Sequence, residues 1–153
     1  MAQAQNTVVI DGKNLILGRL GAIVAKKILA GEQVVVLNAE YLAISGDKKY
    51  IEERYQKRRW AVNKANPEHS PHWPRRPDLL VKRVIRGMLP FDSSHGRKAF
   101  KNLRVYMGIP HEFENAQKAD LGIKTTDALN TRYTLIGELC ARLGYAVHER
   151  YRG

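Results

Sequence analysis

Cysteine is nearly missing from this chain. Cys140 stands alone, so no disulfide can close within it, and a reducing compartment is its natural setting. Long apolar runs are missing too. Nothing approaches the roughly 20 apolar residues that a membrane-crossing helix needs. The first residues, Met1-Ala2-Gln3-Ala4-Gln5-Asn6, carry neither the charged region nor the apolar stretch of a secretory signal. A soluble intracellular protein without a membrane partner is expected. Metal-ligand spacing is also lacking, because His69 and His72 have no cysteines or further ligands at zinc-finger distance. No paired carboxylates and no nucleophile with its base stand out either; Glu52 and Glu53 are neighbours embedded among bases. No catalytic residue, metal, cofactor or small-molecule substrate is expected.

What is present is positive charge, and it is concentrated. Residues 48–104 hold 16 of the 26 Lys and Arg but only 5 of the 15 Asp and Glu. This third of the chain accounts for the whole formal net charge of +11, and the flanks balance to zero. Such a field repels itself unless something anionic meets it. Nucleic acid is the partner it fits best. A membrane surface or an acidic protein suits the charge, but not the Arg and Trp residues set among prolines. The apolar fraction of 44% is ordinary for a globular chain, and 153 residues make one domain with a real core.

The first part, residues 8–46, reads as βαβ. Val8-Val9-Ile10 is a β-branched run stopped by Asp11-Gly12. Leu20, Val24 and Ile28 then recur every four residues, joined by Ile23, with Lys26 and Lys27 opposite and Gly31 at the C-terminal cap. Val34-Val35-Val36-Leu37 is continuous, as in a strand covered on both faces. Together these predict a parallel pair joined by a right-handed crossover. Residues 41–46 read as a short further strand. Gly18 and Gly21 invite a dinucleotide reading, with Glu40 about 20 residues on as the ribose acid. The first glycine of that fingerprint is missing, and helix packing is the preferred account of both.

Residues 47–104 carry the basic surface. A helix over 48–60 presents Lys48, Lys49, Arg54, Lys57, Arg58 and Arg59, with Ile51, Tyr55 and Val62 on its apolar side and Glu53 paired to Lys57. Trp60, at its end, either stacks on a base or sugar or packs into the core. Residues 66–77 hold four of the six prolines and form an extended loop. Within it His72, Trp73, Arg75 and Arg76 suit phosphates and flat rings. Asp78 is expected to cap a helix over 79–89 that docks Leu80, Val81, Val84, Ile85 and Met88 and presents Lys82, Arg83 and Arg86. Ser93 and Ser94 offer a cap for a short helix through Leu103 bearing Arg97, Lys98 and Lys101. A strand over 104–108, beginning at Arg104, follows.

Residues 112–130 have no clear pattern. A helix is expected over 131–143, with Leu135, Ile136, Leu139, Cys140 and Leu143 on one face and Gly144 at its cap. Cys140 then reads as an inert core thiol. The polar end, residues 148–153, is expected to fray without a partner.

Three blocks in order carry a resemblance. The first is Ile10-Asp11-Gly12 with Leu17-Gly18-Arg19-Leu20 and Val24-Ala25. The second runs Val34-Val35-Val36-Leu37-Asn38-Ala39-Glu40 to Ile44-Ser45-Gly46. The third is Val84-Ile85-Arg86-Gly87-Met88-Leu89-Pro90, then Gly96-Arg97-Lys98-Ala99 and Leu103-Arg104-Val105-Tyr106-Met107-Gly108. They resemble the large-subunit ribosomal protein L-thirteen family. Residues 133–139 look like its archaeal and eukaryotic branch. Bacterial members carry a Tyr-Arg-His-Ser-Gly-Tyr segment where this chain has its 48–60 helix and proline-rich loop, so bacterial contact positions there do not transfer. The resemblance implies a three-layer α/β/α fold on a small, mainly parallel sheet with a basic extension. It also implies a non-catalytic structural role on cytoplasmic ribosomes, with large-subunit rRNA and neighbouring ribosomal proteins as partners.

Overall fold

Val8, Val9 and Ile10 lie in β1 (Thr7–Asp11), the first strand of a parallel sheet. The structure is a computed structural model and describes residues 7–123 and 125–146; the end expected to fray lies outside them. After α1 (Leu17–Leu29), β2 (Gln33–Leu37) returns parallel to β1, with Val8 opposite Val34 and Ile10 opposite Val36. The parallel pair is as expected. Leu20, Val24 and Ile28 form the buried stripe of α1, while Ile23 is only half-buried. Gly31 takes a φ of +95°, the left-handed cap the helix end requires.

Next come β3 (Ala43–Ser45), α2 (Lys48–Trp60), α3 (Pro77–Arg86), α4 (Ser94–Lys101) and β4 (Leu103–Val105). The described chain closes with β5 (Tyr133–Leu135) and α5 (Ile136–Arg142). β4 lies parallel to β2 on the side away from β1, completing the sheet in the order β1-β2-β4. β3 and β5 form a separate antiparallel pair. The result is a small α/β fold on a mainly parallel sheet. Ile10, Val34, Val36, Leu103 and Val105 join residues of all five helices in the main core. On the opposite face Val9, Val35 and Leu37 are covered by Tyr106, Phe113 and Ala116. A 3-10 turn, His111–Phe113, and its flanking loop thus serve as the layer on that side.

Several local expectations need correction. α3 starts at Pro77, where the missing N–H is one that a first helical turn leaves unbonded in any case. Asp78 does not cap it; its carboxylate turns to the Arg76 guanidinium. The helix stops at Arg86 because the next N–H groups shift to carbonyls three residues back, Met88 to Ile85 and Leu89 to Arg86. This tighter winding turns Leu89 into the core and leaves Met88 39% exposed. α2 ends at Trp60, so Val62 never joins its apolar face and is exposed. Glu53 and Lys57 make no ion pair; Glu52 instead faces Arg142 at 3.7 Å. α4 keeps its predicted cap, the Ser93 hydroxyl accepting from the Gly96 N–H, but ends before Leu103, which opens β4. Beyond β4 the Tyr106 N–H adds one bond to the Val36 carbonyl, and Gly108 turns the chain away at φ +64°.

The helix expected over 131–143 begins as a three-residue strand. Tyr133-Thr134-Leu135 finds a partner in β3, with Ala43 opposite Leu135, and pairing across 90 residues of chain outweighs the local helical period. Only Ile136 onward is helical. Ile136, Leu139, Cys140 and Leu143 are buried as expected, and Gly144 takes the left-handed cap at φ +88°.

Candidate nucleic-acid interface

The carboxyl ends of the parallel strands are where an α/β sheet would hold a nucleotide. Here a cavity of about 620 Å³ lies beside Asn38, Glu40 and Val105, but the polar groups at the strand ends are bonded within the protein. Asn38 adopts a left-handed conformation at the end of β2, and its Nδ2 donates to Asp11 Oδ1 at 2.7 Å. The Gly12 N–H donates to the Leu37 carbonyl, and a Cβ at Gly12 would stand 2.7 Å from that oxygen. Glu40, the candidate ribose acid, accepts the Gly108 N–H on both carboxylate oxygens, at 3.0 and 3.1 Å. Gly18 and Gly21 lie inside α1 rather than in a turn before it, and Gly21 lets Met88 and Ile85 of the α3 region pack close. Helix packing is the role of that glycine.

Asp11 also anchors Lys118 at 2.7 Å. Burial disfavours its charged form, but bonds from Asn38, Lys118 and the Lys13 N–H outweigh that and hold its carboxyl below the usual 3.8. Cys140 is fully buried, and burial, aided by the negative charge of Asp78, pushes its thiol up to about 12. It is an inert core thiol.

The predicted basic residues fall into two sets. The first is tethered within the protein. Lys48 pairs with Glu138 at 2.9 Å, Arg76 with Asp78 at 2.8 Å, and Arg59 donates to the Leu143 carbonyl at 2.7 Å. Arg58 lies 4.8 Å and Arg83 5.2 Å from the centroid of the Trp73 ring, and Arg86 lies over Phe91 at 3.9 Å. The α3 basic face is therefore half-buried against aromatic rings rather than simply held out to solvent. Trp73 itself is half-buried, edge-on to Tyr55 at 6.0 Å.

The second set projects outward. Lys49, Arg54, Lys57, Arg75, Arg97, Lys98, Lys101 and Arg104 are exposed, Lys82 is half-exposed, and none has an acidic partner among the described residues. Trp60 is 74% exposed, which removes the core alternative for it, and His72 is exposed as well. α4 puts Arg97, Lys98 and Lys101 outward because Gly96 and Ala99 face the protein; a Cβ at Gly96 would reach 2.1 Å from the Pro90 carbonyl oxygen. Lys64, exposed in the loop after α2, belongs to the same set and was not singled out by its sequence setting. Nor did any periodicity signal that Trp73, isolated among prolines, would gather arginines from two helices.

Among the described residues no helix is long and apolar enough to cross a membrane, and no cluster of His, Cys, Asp and Glu could hold a metal. The family model described as Ribosomal protein L13 matches residues 5–112. The chain belongs to the ribosomal protein L13 family. Its relatives include the large ribosomal subunit protein uL13 of Methanopyrus kandleri, 41% identical over 140 residues, covering 90% of this chain and 86% of the relative. The proteins of the same name from Methanocaldococcus jannaschii and Methanococcoides burtonii are each 42% identical over 137 residues, 89% of this chain and 96% of theirs. The family is structural and non-enzymatic, and the relatives are archaeal, as the resemblance of residues 133–139 implies.

Proposed function

We propose that this protein is a structural, non-catalytic constituent of the large subunit of cytoplasmic ribosomes that binds large-subunit rRNA through its basic surface. There it helps assemble and stabilise the subunit beside neighbouring ribosomal proteins. The observation that carries the reading is the outward-facing set of bases on α2, the proline-rich loop, α3 and α4, without acidic partners among the described residues, in a chain of this family. Side chains of this kind meet phosphates, and folded RNA is recognised mostly by shape and backbone. The exposed Trp60 and His72 stand ready for sugars or bases.

The test is sedimentation of the endogenous protein through a high-salt sucrose gradient with rRNA probed in each fraction. One copy per large subunit, retained at high salt, is the expected result. Changing Arg97, Lys98 and Lys101 together to Glu should leave thermal unfolding nearly unchanged and release the protein from the subunit. A wild-type protein that stays at the top of the gradient sinks the reading.

A further inference from the structure

Trp73 is the centre of an arrangement that neither charge counting nor family membership describes. The guanidinium carbons of Arg58, from α2, and Arg83, from α3, both lie within 5.2 Å of the centroid of its ring. Arg58 also approaches the Tyr55 ring at 5.3 Å, and Tyr55 packs edge-on against the indole. No carboxylate of the described residues bonds either guanidinium. Two like charges are thus gathered in one place, held by ring quadrupoles rather than by acids. A cation–π contact uses the charge of an arginine and leaves most of its fork of N–H donors available, although Arg58 also bonds to the Tyr55 hydroxyl. Those donors match a phosphate, which accepts several hydrogen bonds at once.

We propose that Arg58 and Arg83 form a two-arginine clamp for backbone phosphates of RNA, and that Trp73 is its positioning residue rather than a platform for a base. The proposal deepens the reading given under Proposed function and rests on it for the identity of the RNA. An indole already packed by two guanidiniums and a tyrosine edge has less of its ring left for a base. Arginines fixed in advance lose less rotamer freedom on binding, so the same phosphate contacts give tighter association.

The experiment measures dissociation constants of the full chain across a salt series. Its probes are deproteinised large-subunit rRNA from the source cells and poly(U). Each phosphate contact contributes about 0.7 to 0.9 to the slope of log K against log salt. The double variant Arg58→Gln/Arg83→Gln should lose about 1.4 to 1.8 of that slope and bind on the order of tenfold more weakly at moderate salt. Trp73→Leu should lose most of the same slope, and Trp73→Phe should keep it, because the contact requires a ring. If Trp73→Leu weakens binding with the slope unchanged, the indole stacks on a base and the positioning role is wrong. Wild-type slope and affinity in the arginine double variant would remove the clamp altogether. Should Trp73→Leu fail to fold, the arginine variants and Trp73→Phe still decide. Poly(U) separates the two proposals, since removing the clamp must lower the slope there even if the wild type shows no preference for rRNA.

Discussion

α1 and α2 are each 13 residues long, and they are held in opposite ways. α1 buries six residues in a continuous stripe under the parallel sheet and against α3. α2 buries only Ile51 and Tyr55. The rest of its attachment is made by long polar side chains: Lys48 to Glu138, Glu52 opposite Arg142, Arg59 to the Leu143 carbonyl, and Arg58 over Trp73. Arg59 reaches the C-terminal carbonyls of α5, where a cation is favoured by the helix dipole. A basic helix thus commits Lys48 and Arg59 to its own fold, holds Arg58 by a ring contact without pairing it to an acid, and keeps Lys49, Arg54 and Lys57 fully outward. The lesson is that a run of positive charge is not one surface. Its members divide by reach and by which carbonyls, acids and rings the neighbouring elements bring near.

That contrast can be broken from the α1 side first. Leu20→Ala should cost about 2–5 kcal/mol in urea unfolding, because a fully buried leucine leaves a cavity that a close-packed stripe cannot refill. A loss below 1 kcal/mol would mean that α1 is not the better-packed helix. On the α2 side Arg59→Ala should cost about 1 kcal/mol, discounted for partial exposure, and should speed amide exchange in the last turn of α5. Unchanged exchange there would show that the tether is idle. Asp11→Asn sharpens the picture at the sheet end, with an effect of similar or smaller size. Because the folded state depresses the Asp11 carboxyl, its contribution is complete above the unfolded value near 3.8 and is lost as pH falls through the folded value. The gap in stability between wild type and variant should therefore be widest at neutral pH and narrow in acid. A gap that is independent of pH contradicts this. Lys48→Ala comes last. Its pair with Glu138 is about half exposed on both sides, so the cost should stay under about 0.5 kcal/mol and vanish in high salt.

Much of this architecture was legible in local pattern. Continuous Val34-Val35-Val36-Leu37 announced a strand covered on both faces, and β2 lies between β1 and β4 with apolar layers on either side. The four-residue spacing in α1 and the bounds of α2 read correctly for the same reason: each depends on residues within a turn or two. Where two outcomes were locally close, distant partners decided. Tyr133-Thr134-Leu135 carries an apolar spacing that fits helix, yet the open edge of β3 made it strand. Gly87 to Leu89 could have continued α3, but tighter turn bonds drew Leu89 into the core and left Met88 at its edge, against Gly21. Asp78 stands where a cap belongs, and a guanidinium two residues away claimed it.

The candidate site divides along the same line. Composition by itself determined that one third of the chain carries the positive charge, since charge depends on residue type and not on neighbours. The three blocks that carry the family resemblance likewise stand in the order of residues alone. Two of their glycines have a physical reason that only the folded chain displays: Gly12 lies under the Leu37 carbonyl and Gly96 under that of Pro90, where no Cβ fits. Tertiary structure alone decided which bases are tethered and which are presented, and it alone brought Arg58 and Arg83 to one indole. Hydrogen bonds and ring contacts act over a few ångströms, and residues 58, 73 and 83 meet only when α2, the proline-rich loop and α3 are packed together.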